Sequence, residues 1–185
     1  MRMPHLAPSG TVGRFPRYLS ELRQFNGIVA VSEDSRQSLI DYWQWAGWPN
    51  TPPVIVSGLG LDHIERRASQ AESTISDPQN LPVILSVGSI EGRKNHLTLL
   101  NAAEDLWNAG ESFELRIIGT AQRETGKIAL ARIKDLQAAG RPLRYEGWLN
   151  DADLKLAYRS CAFTVYPSLM EGFGLPVWES LLNAA

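Results

Sequence analysis

Short apolar runs that end on glycine alternate along this chain with stretches of helical period, and this alternation limits the fold more than any other feature. Val83-Ile84-Leu85-Ser86-Val87 is followed by Gly88, and Phe113–Ile118 by Gly119. Leu143-Arg144-Tyr145 and Ala162-Phe163-Thr164-Val165-Tyr166 are two further strands, and Gly27–Val31 and Pro53–Ser57 are two earlier ones. The near-continuous apolar run Val83–Val87 marks a strand covered on both faces. Between the strands, helices are expected from Asp34 to about Ala46, capped by Ser32, and from about Lys94 to Ala109. In the second of these Leu97, Leu100, Ala103 and Leu106/Trp107 make one stripe. Thr125–Ala139, Asp151–Arg159 and Pro176–Ala184 complete the set. Met1–Arg17, with three prolines, reads as loop, and residues 62–81 as a polar linker after a strand closed by Gly58 and Gly60. Strand–helix alternation of this kind implies β-α-β units, a Rossmann-like parallel sheet with flanking helices. Such a sheet takes ligands outside the carboxyl ends of its strands, here the loops after Val87, Ile118, Tyr145 and Tyr166.

Composition narrows the function. Apolar residues make up 44% and charged residues 21%, so the chain is globular rather than disordered. A net charge of −2 argues against nucleic acid as a partner. With one cysteine, Cys161, neither an internal disulfide nor a cysteine-built zinc site is possible, and a reducing compartment fits. His5, His63 and His96 stand in no metal-ligand pattern, so no metal is expected. Met1–Arg17, with its prolines and arginines and no apolar core stretch, is not expected to act as a secretory leader; the sequence holds no apolar run of about 20 residues, and no membrane-spanning helix is expected.

The loop after Tyr166 is the richest in chemistry. Glu171-Gly172-Phe173-Gly174-Leu175-Pro176-Val177-Trp178-Glu179 places two glycines before a helix start. Glycine admits close backbone approach, and the first helical N–H groups with the helix dipole suit a phosphate. The flanking carboxylates suit hydroxyls instead. Together they point to a ligand bearing both; a structural glycine turn with a helix-start glutamate is the alternative. In the loop after Val87, Arg93 and Lys94 fall at an expected helix N-terminus, where cations are unfavourable by about 0.3–1 kcal/mol unless an anion compensates. A solvated pair partnered by Glu91 is the alternative there. Trp148, after Tyr145, can stack on a flat ring or pack in the core. Cys161 reads as packing, His96 as a surface residue, and Trp43, Trp45 and Trp48 as structural or interfacial.

Glu171–Glu179 resembles the Glu-x7-Glu motif of retaining GT-B-fold glycosyltransferases of family 4. Val87–His96 is similar to that family's phosphate loop, and Leu115–Gly119, Tyr145-Glu146-Gly147 and Tyr166-Pro167-Ser168 follow in its order. Val31–Arg36 resembles the segment closing its first domain. The resemblance runs from about residue 15 to the end and implies roles. Arg93 and Lys94 bind the diphosphate of a GDP- or UDP-sugar donor, helped by backbone at Gly172, Phe173, Gly174 and Leu175, so no cofactor is needed. Glu171 holds the transferred sugar, Glu179 the ribose, and Trp148 lies where the base goes. Many members carry arginine where this chain has Ser89, a departure in the phosphate loop. The resemblance further implies a partial GT-B fold: residues 1–61 as the end of an acceptor-side domain, 62–81 as linker and 82–185 as a truncated donor-binding domain. The implied activity is retaining transfer of a hexose such as mannose to a glycan or lipid-linked acceptor in polysaccharide assembly. It would take place in the cytoplasm, with peripheral attachment to the membrane. An inactive nucleotide-binding piece of the same fold is the alternative. A sugar-nucleotide dehydrogenase or epimerase would require G-x-G-x-x-G, which Gly88-Ser89-Ile90 does not supply.

Overall fold

The computed structural model describes residues 3–58 and 81–183. Gly60, His63 and all but the last position of the expected linker lie outside the described residues, as does the end of the last helix at Ala184. The described residues fall into two compact units, 3–58 with Glu171–Gly174, and 81–170 with 175–183.

The first unit contains α1 (Ser9–Glu21), β1 (Ile28–Ala30), α2 (Glu33–Trp45) and β2 (Val54–Val56). The strands pair in parallel, Ile28 opposite Val54 and Ala30 opposite Val56. The Ser32 hydroxyl accepts from the Ser35 amide at 3.1 Å and caps α2, as its position before Glu33 and Asp34 suggests. From Ser9 onward, helix α1 overturns the loop expected over Met1–Arg17. Gly10, Gly13 and an internal Pro16 lower its intrinsic propensity, but tertiary structure holds it. The indole of Trp43, 1% exposed, donates to the Leu19 carbonyl at 3.0 Å, one of the helix's last carbonyls, which lack intrahelical partners. Of the neighbouring tryptophans, Trp45 is exposed, and Trp48 meets Tyr42 edge-on while the Arg23 guanidinium lies over it.

The second unit is built on a four-stranded parallel sheet in the order β5-β4-β3-β6. Its elements run β3 (Val83–Val87), α3 (His96–Asn108), β4 (Glu114–Ile118), α4 (Lys127–Ala138), β5 (Leu143–Glu146), α5 (Asp151–Ser160), β6 (Phe163–Thr164) and α6 (Leu175–Asn183). Alternation along β4 separates two cores: Leu115 and Ile117 pack with Leu100, Ala103 and Trp107 of α3 and Ile133 and Leu136 of α4. Ile118, on the opposite face, joins Leu85 of β3 and Ala157 and Tyr158 of α5. The strand β6 is shorter than the run Ala162–Tyr166, because its pairing with β3 covers only Ile84 opposite Phe163 and Leu85 opposite Thr164.

Helix α3 starts two residues later than its apolar period suggests. Gly92–Lys94 form a 3-10 turn, and Asn95 breaks it from the helix with a left-handed φ of 58°. The buried stripe is His96, Leu99, Leu100, Ala103 and Trp107; Leu97 and Leu106, expected in it, face outward. Among the described residues no helix is long and apolar enough to cross a membrane.

Candidate functional site

The sheet order makes β3 central. The chain leaves β3 towards β4 and β5, then returns to β6 on its other side, so loops at the carboxyl ends of β3 and β6 diverge from a switch point where open sheets take ligands. Four hydrogen bonds tie these two loops together. The Leu169 amide donates to the Arg93 carbonyl at 2.9 Å, and Arg93 Nη1 donates to the Met170 carbonyl at 3.1 Å. Asn95 Nδ2 donates to the Pro167 carbonyl at 3.3 Å, and Lys94 Nζ donates to the Tyr166 hydroxyl at 3.0 Å.

The backbone beneath them is closely set. A Cβ on Gly119 would stand 2.1 Å from the Gly88 carbonyl oxygen, at a φ of +150°. Only glycine fits there, and the exits of β3 and β4 touch backbone to backbone. Beyond Gly88, Ser89 Oγ donates to Glu91 Oε1 at 3.0 Å, and Arg93 Nη2 pairs with the same oxygen at 2.8 Å. The Glu91 pairing expected as an alternative for Arg93 therefore exists alongside the loop-to-loop bond. Arg93 and Lys94 lie on the 3-10 turn, not at the start of an α-helix, so the helix-dipole reason for an anion there does not apply. Lys94 is instead buried, 7% exposed, with Nζ 5.0 Å from the Tyr166 ring centroid.

His96 corrects a second expectation. It is not a surface residue but 3% exposed, at the first position of α3. Burial, and then the Lys94 charge, push its pKa down to about 4.

In the loop after β6, Glu171 and Phe173 are half-buried and Gly172 is exposed. A Cβ on Gly172 would lie 3.7 Å from Val31 and 3.8 Å from the Ser35 hydroxyl, ordinary contacts within the first unit. Gly174 has a left-handed φ of 84°, which turns the chain into α6 at Leu175, one residue before the expected start at Pro176. On that helix the Glu179 carboxylate accepts from the Tyr158 hydroxyl at 2.9 Å. Burial, followed by the Glu179 charge, drives the Tyr158 pKa far up, so its hydroxyl stays a donor. Tyr158 and Tyr166 line a cavity of about 180 Å³ with Val87, Thr164, Pro176 and Ser180. Trp148 is 77% exposed, which removes the core reading and leaves its ring available for stacking. Cys161 donates to the Tyr158 carbonyl at 3.2 Å, and burial raises its thiol pKa, consistent with packing.

Sequence reasoning missed the two tyrosines as parts of the site. It also missed an ionic group at β4 and β5, where Glu146 receives Arg116 Nε at 2.7 Å and Arg144 Nη2 at 2.8 Å. Burial alone would raise the Glu146 pKa, but the two guanidiniums outweigh it and hold the carboxyl below its ordinary range.

The family model described as glycosyl transferases group 1 matches residues 69–183. The serotype-specific mannosyltransferase WbdA of Escherichia coli is 30% identical over 168 residues, covering 88% of this chain and 20% of that protein. The O-antigen chain mannosyltransferase B of Escherichia coli is 32% identical over 158 residues, covering 83% of this chain and 40% of that protein. The chain thus spans between 20% and 40% of the length of these relatives. Among solved structures, a trehalose-6-phosphate synthase studied with bisubstrate glycomimetics superposes with a TM-score of 0.69 at 16% identity, over 95% of this chain and 47% of that one. An alpha,alpha-trehalose-phosphate synthase (UDP-forming) from Burkholderia xenovorans gives a TM-score of 0.70 at 13% identity, over 96% and 49%. At such identities the structures speak for the fold, and the parallel α/β architecture expected from the sequence, a partial GT-B fold, is the one found.

Proposed function

Because the chain belongs to the glycosyl transferases of group 1, we propose that residues 82–185 are the donor-binding domain of a retaining glycosyltransferase, residues 1–61 part of its acceptor-side domain, and residues 62–81 the linker. The observation that carries this reading is the buried Lys94, held at the carboxyl end of the central strand by the loop after β6. Arg93 and Lys94 take the diphosphate of a nucleotide-sugar, with backbone amides from Gly172 to Leu175 on the same charge. Glu171 takes hydroxyls of the transferred sugar, Glu179 those of the ribose, and Trp148 stacks on the base. As the bond from the anomeric carbon to the diphosphate oxygen breaks, negative charge grows on the leaving group, and these cations and amides stabilise it. Transfer of mannose, from a GDP- or UDP-linked donor to a glycan or lipid-linked acceptor in cell-surface polysaccharide assembly, fits the mannosyltransferase names of the relatives. Such work belongs at the cytoplasmic face of a membrane, with the enzyme bound peripherally.

The test is a melting curve with UDP and with GDP. At a ligand concentration of about 100 Kd, binding adds about 2.7 kcal/mol to stability, several degrees in Tm. Lys94→Ala is expected to abolish the shift and Glu179→Ala to diminish it, and no shift at millimolar nucleotide refutes an intact site. Transfer assays then separate an active enzyme from the alternative, a domain that binds the nucleotide without turnover.

A further inference from the structure

Glu179 is held in place through its helix and through its side chain. Its own helix is fastened to β6 by a 2.8 Å hydrogen bond between Thr164 Oγ1 and Ser180 Oγ. Its backbone carbonyl accepts from Asn183 Nδ2 at 2.8 Å. Its carboxylate accepts from the Tyr158 hydroxyl at 2.9 Å. The Tyr158 ring is 4% exposed and packs in the core with Leu85, Ile118 and Ala157, so the hydroxyl comes from a fixed point of the second unit. The first bond fixes where the Glu179 backbone stands, the second closes the last turn of its own helix, and the third selects its rotamer. A carboxylate offers about four acceptor positions, and the tyrosine uses one.

We propose that Tyr158 is a positioning residue of the donor site: its hydroxyl aims the Glu179 carboxylate at the vicinal hydroxyls of a ribose. This inference rests on the reading of Glu179 as the ribose-binding residue and adds a device that orients it before any ligand arrives. Pre-orientation matters because a glutamate left to several rotamers must give up that freedom on binding. Phenylalanine at 158 would keep the packing and lose the aim. Tyr166, which shares the same cavity and accepts from Lys94, stands in the corresponding place beside the expected phosphate cation.

The experiment is calorimetric titration of the 185-residue chain with UDP and GDP and with their 2′,3′-dideoxy counterparts, for the unaltered protein, Tyr158→Phe and Glu179→Ala. Tyr158→Phe is expected to weaken the ribonucleotide about three- to tenfold, the cost of ordering one flexible side chain on binding, and to leave the dideoxy nucleotide unchanged. Equal weakening of both, or none of either, overturns the positioning role. Loss of the ribose preference in Glu179→Ala supports the underlying reading; an undiminished preference there overturns that reading and the inference with it, a failure distinct from one confined to Tyr158→Phe. A second measurement needs no variant. With Cζ-labelled tyrosine, the Tyr158 resonance is expected to move on adding the nucleotide and stay put on adding pyrophosphate; a resonance indifferent to both overturns the inference.

Discussion

Lowering the pH from neutral towards about 4.5 should destabilise this protein through His96. Its pKa in the folded chain is about 4, against an ordinary 6.5, because the ring is buried and Lys94 lies close by. Between these values the unfolded chain binds a proton that the folded chain refuses. The stability contributed by a neutral His96 is therefore full above pH 6.5 and lost progressively as pH falls towards 4. At 1.36 kcal/mol per pH unit the whole interval is worth about 3 kcal/mol, and the part between pH 7 and pH 4.5 about 2 kcal/mol. That is a large share of the stability of an ordinary domain. Urea titrations at a series of pH values measure it directly. With a urea dependence of about 1–2 kcal/mol per molar, the midpoint should fall by about 1–2 M on account of His96. His96→Leu cannot take up the proton, so its midpoint should be flatter over the same range, whatever its stability at pH 7. Lys94→Met removes the second cause and leaves burial in place, so it should reduce the loss without abolishing it. Equal loss in His96→Leu and the unaltered protein would refute the reasoning, because the proton would then be entering elsewhere.

Two further perturbations test the framework around the site. Gly119→Ala drives a methyl into the Gly88 carbonyl and should cost about 3 kcal/mol or more. Gly88→Ala, at the same φ but with only the Lys94 side chain nearby at 3.7 Å, should cost less, and thermal melts that reverse this order would contradict the close backbone approach. Glu146→Ala strands Arg116, whose side chain is 15% exposed, and should destabilise by about 1–3 kcal/mol in urea titrations. Because the folded Glu146 pKa lies below its ordinary 4.5, its contribution is present above that pH and lost as pH falls through the depressed value, so a variant equally acid-sensitive below pH 4.5 would count against it.

The strands were legible because their signal is local. Val83–Val87 and Phe113–Ile118 are bounded by glycines whose φ of +150° closes each strand, and the structure keeps their ends to within a residue. Features that rest on distant partners were not legible. Helix α1 runs across Gly10, Gly13 and Pro16, and Trp43, 24 residues on from Leu19, anchors its last turn by bonding to that carbonyl; nothing within the segment announces that contact. The start of α3 was misplaced because the apolar period says nothing of the left-handed Asn95; His96, four residues before Leu100, is in phase with the buried stripe, and its polar side chain hid that.

The site divides along the same line. Glycine spacing and the two glutamates could be read from the sequence because each is a property of a short motif. The hydroxyls that hold the charged groups could not, since Tyr158 reaches Glu179 across 21 residues and Lys94 reaches Tyr166 across 72. A buried lysine or a half-buried glutamate is costly unless something donates to it or accepts from it. In a parallel sheet the groups that can do so come from the neighbouring strand's loop and the helix behind it. A charged residue after one strand of such a fold therefore calls for a polar aromatic near the end of the strand that pairs beside it. In this chain Tyr166, just past β6, meets that requirement for Lys94, just past β3, while the helix behind the sheet supplies Tyr158 for Glu179.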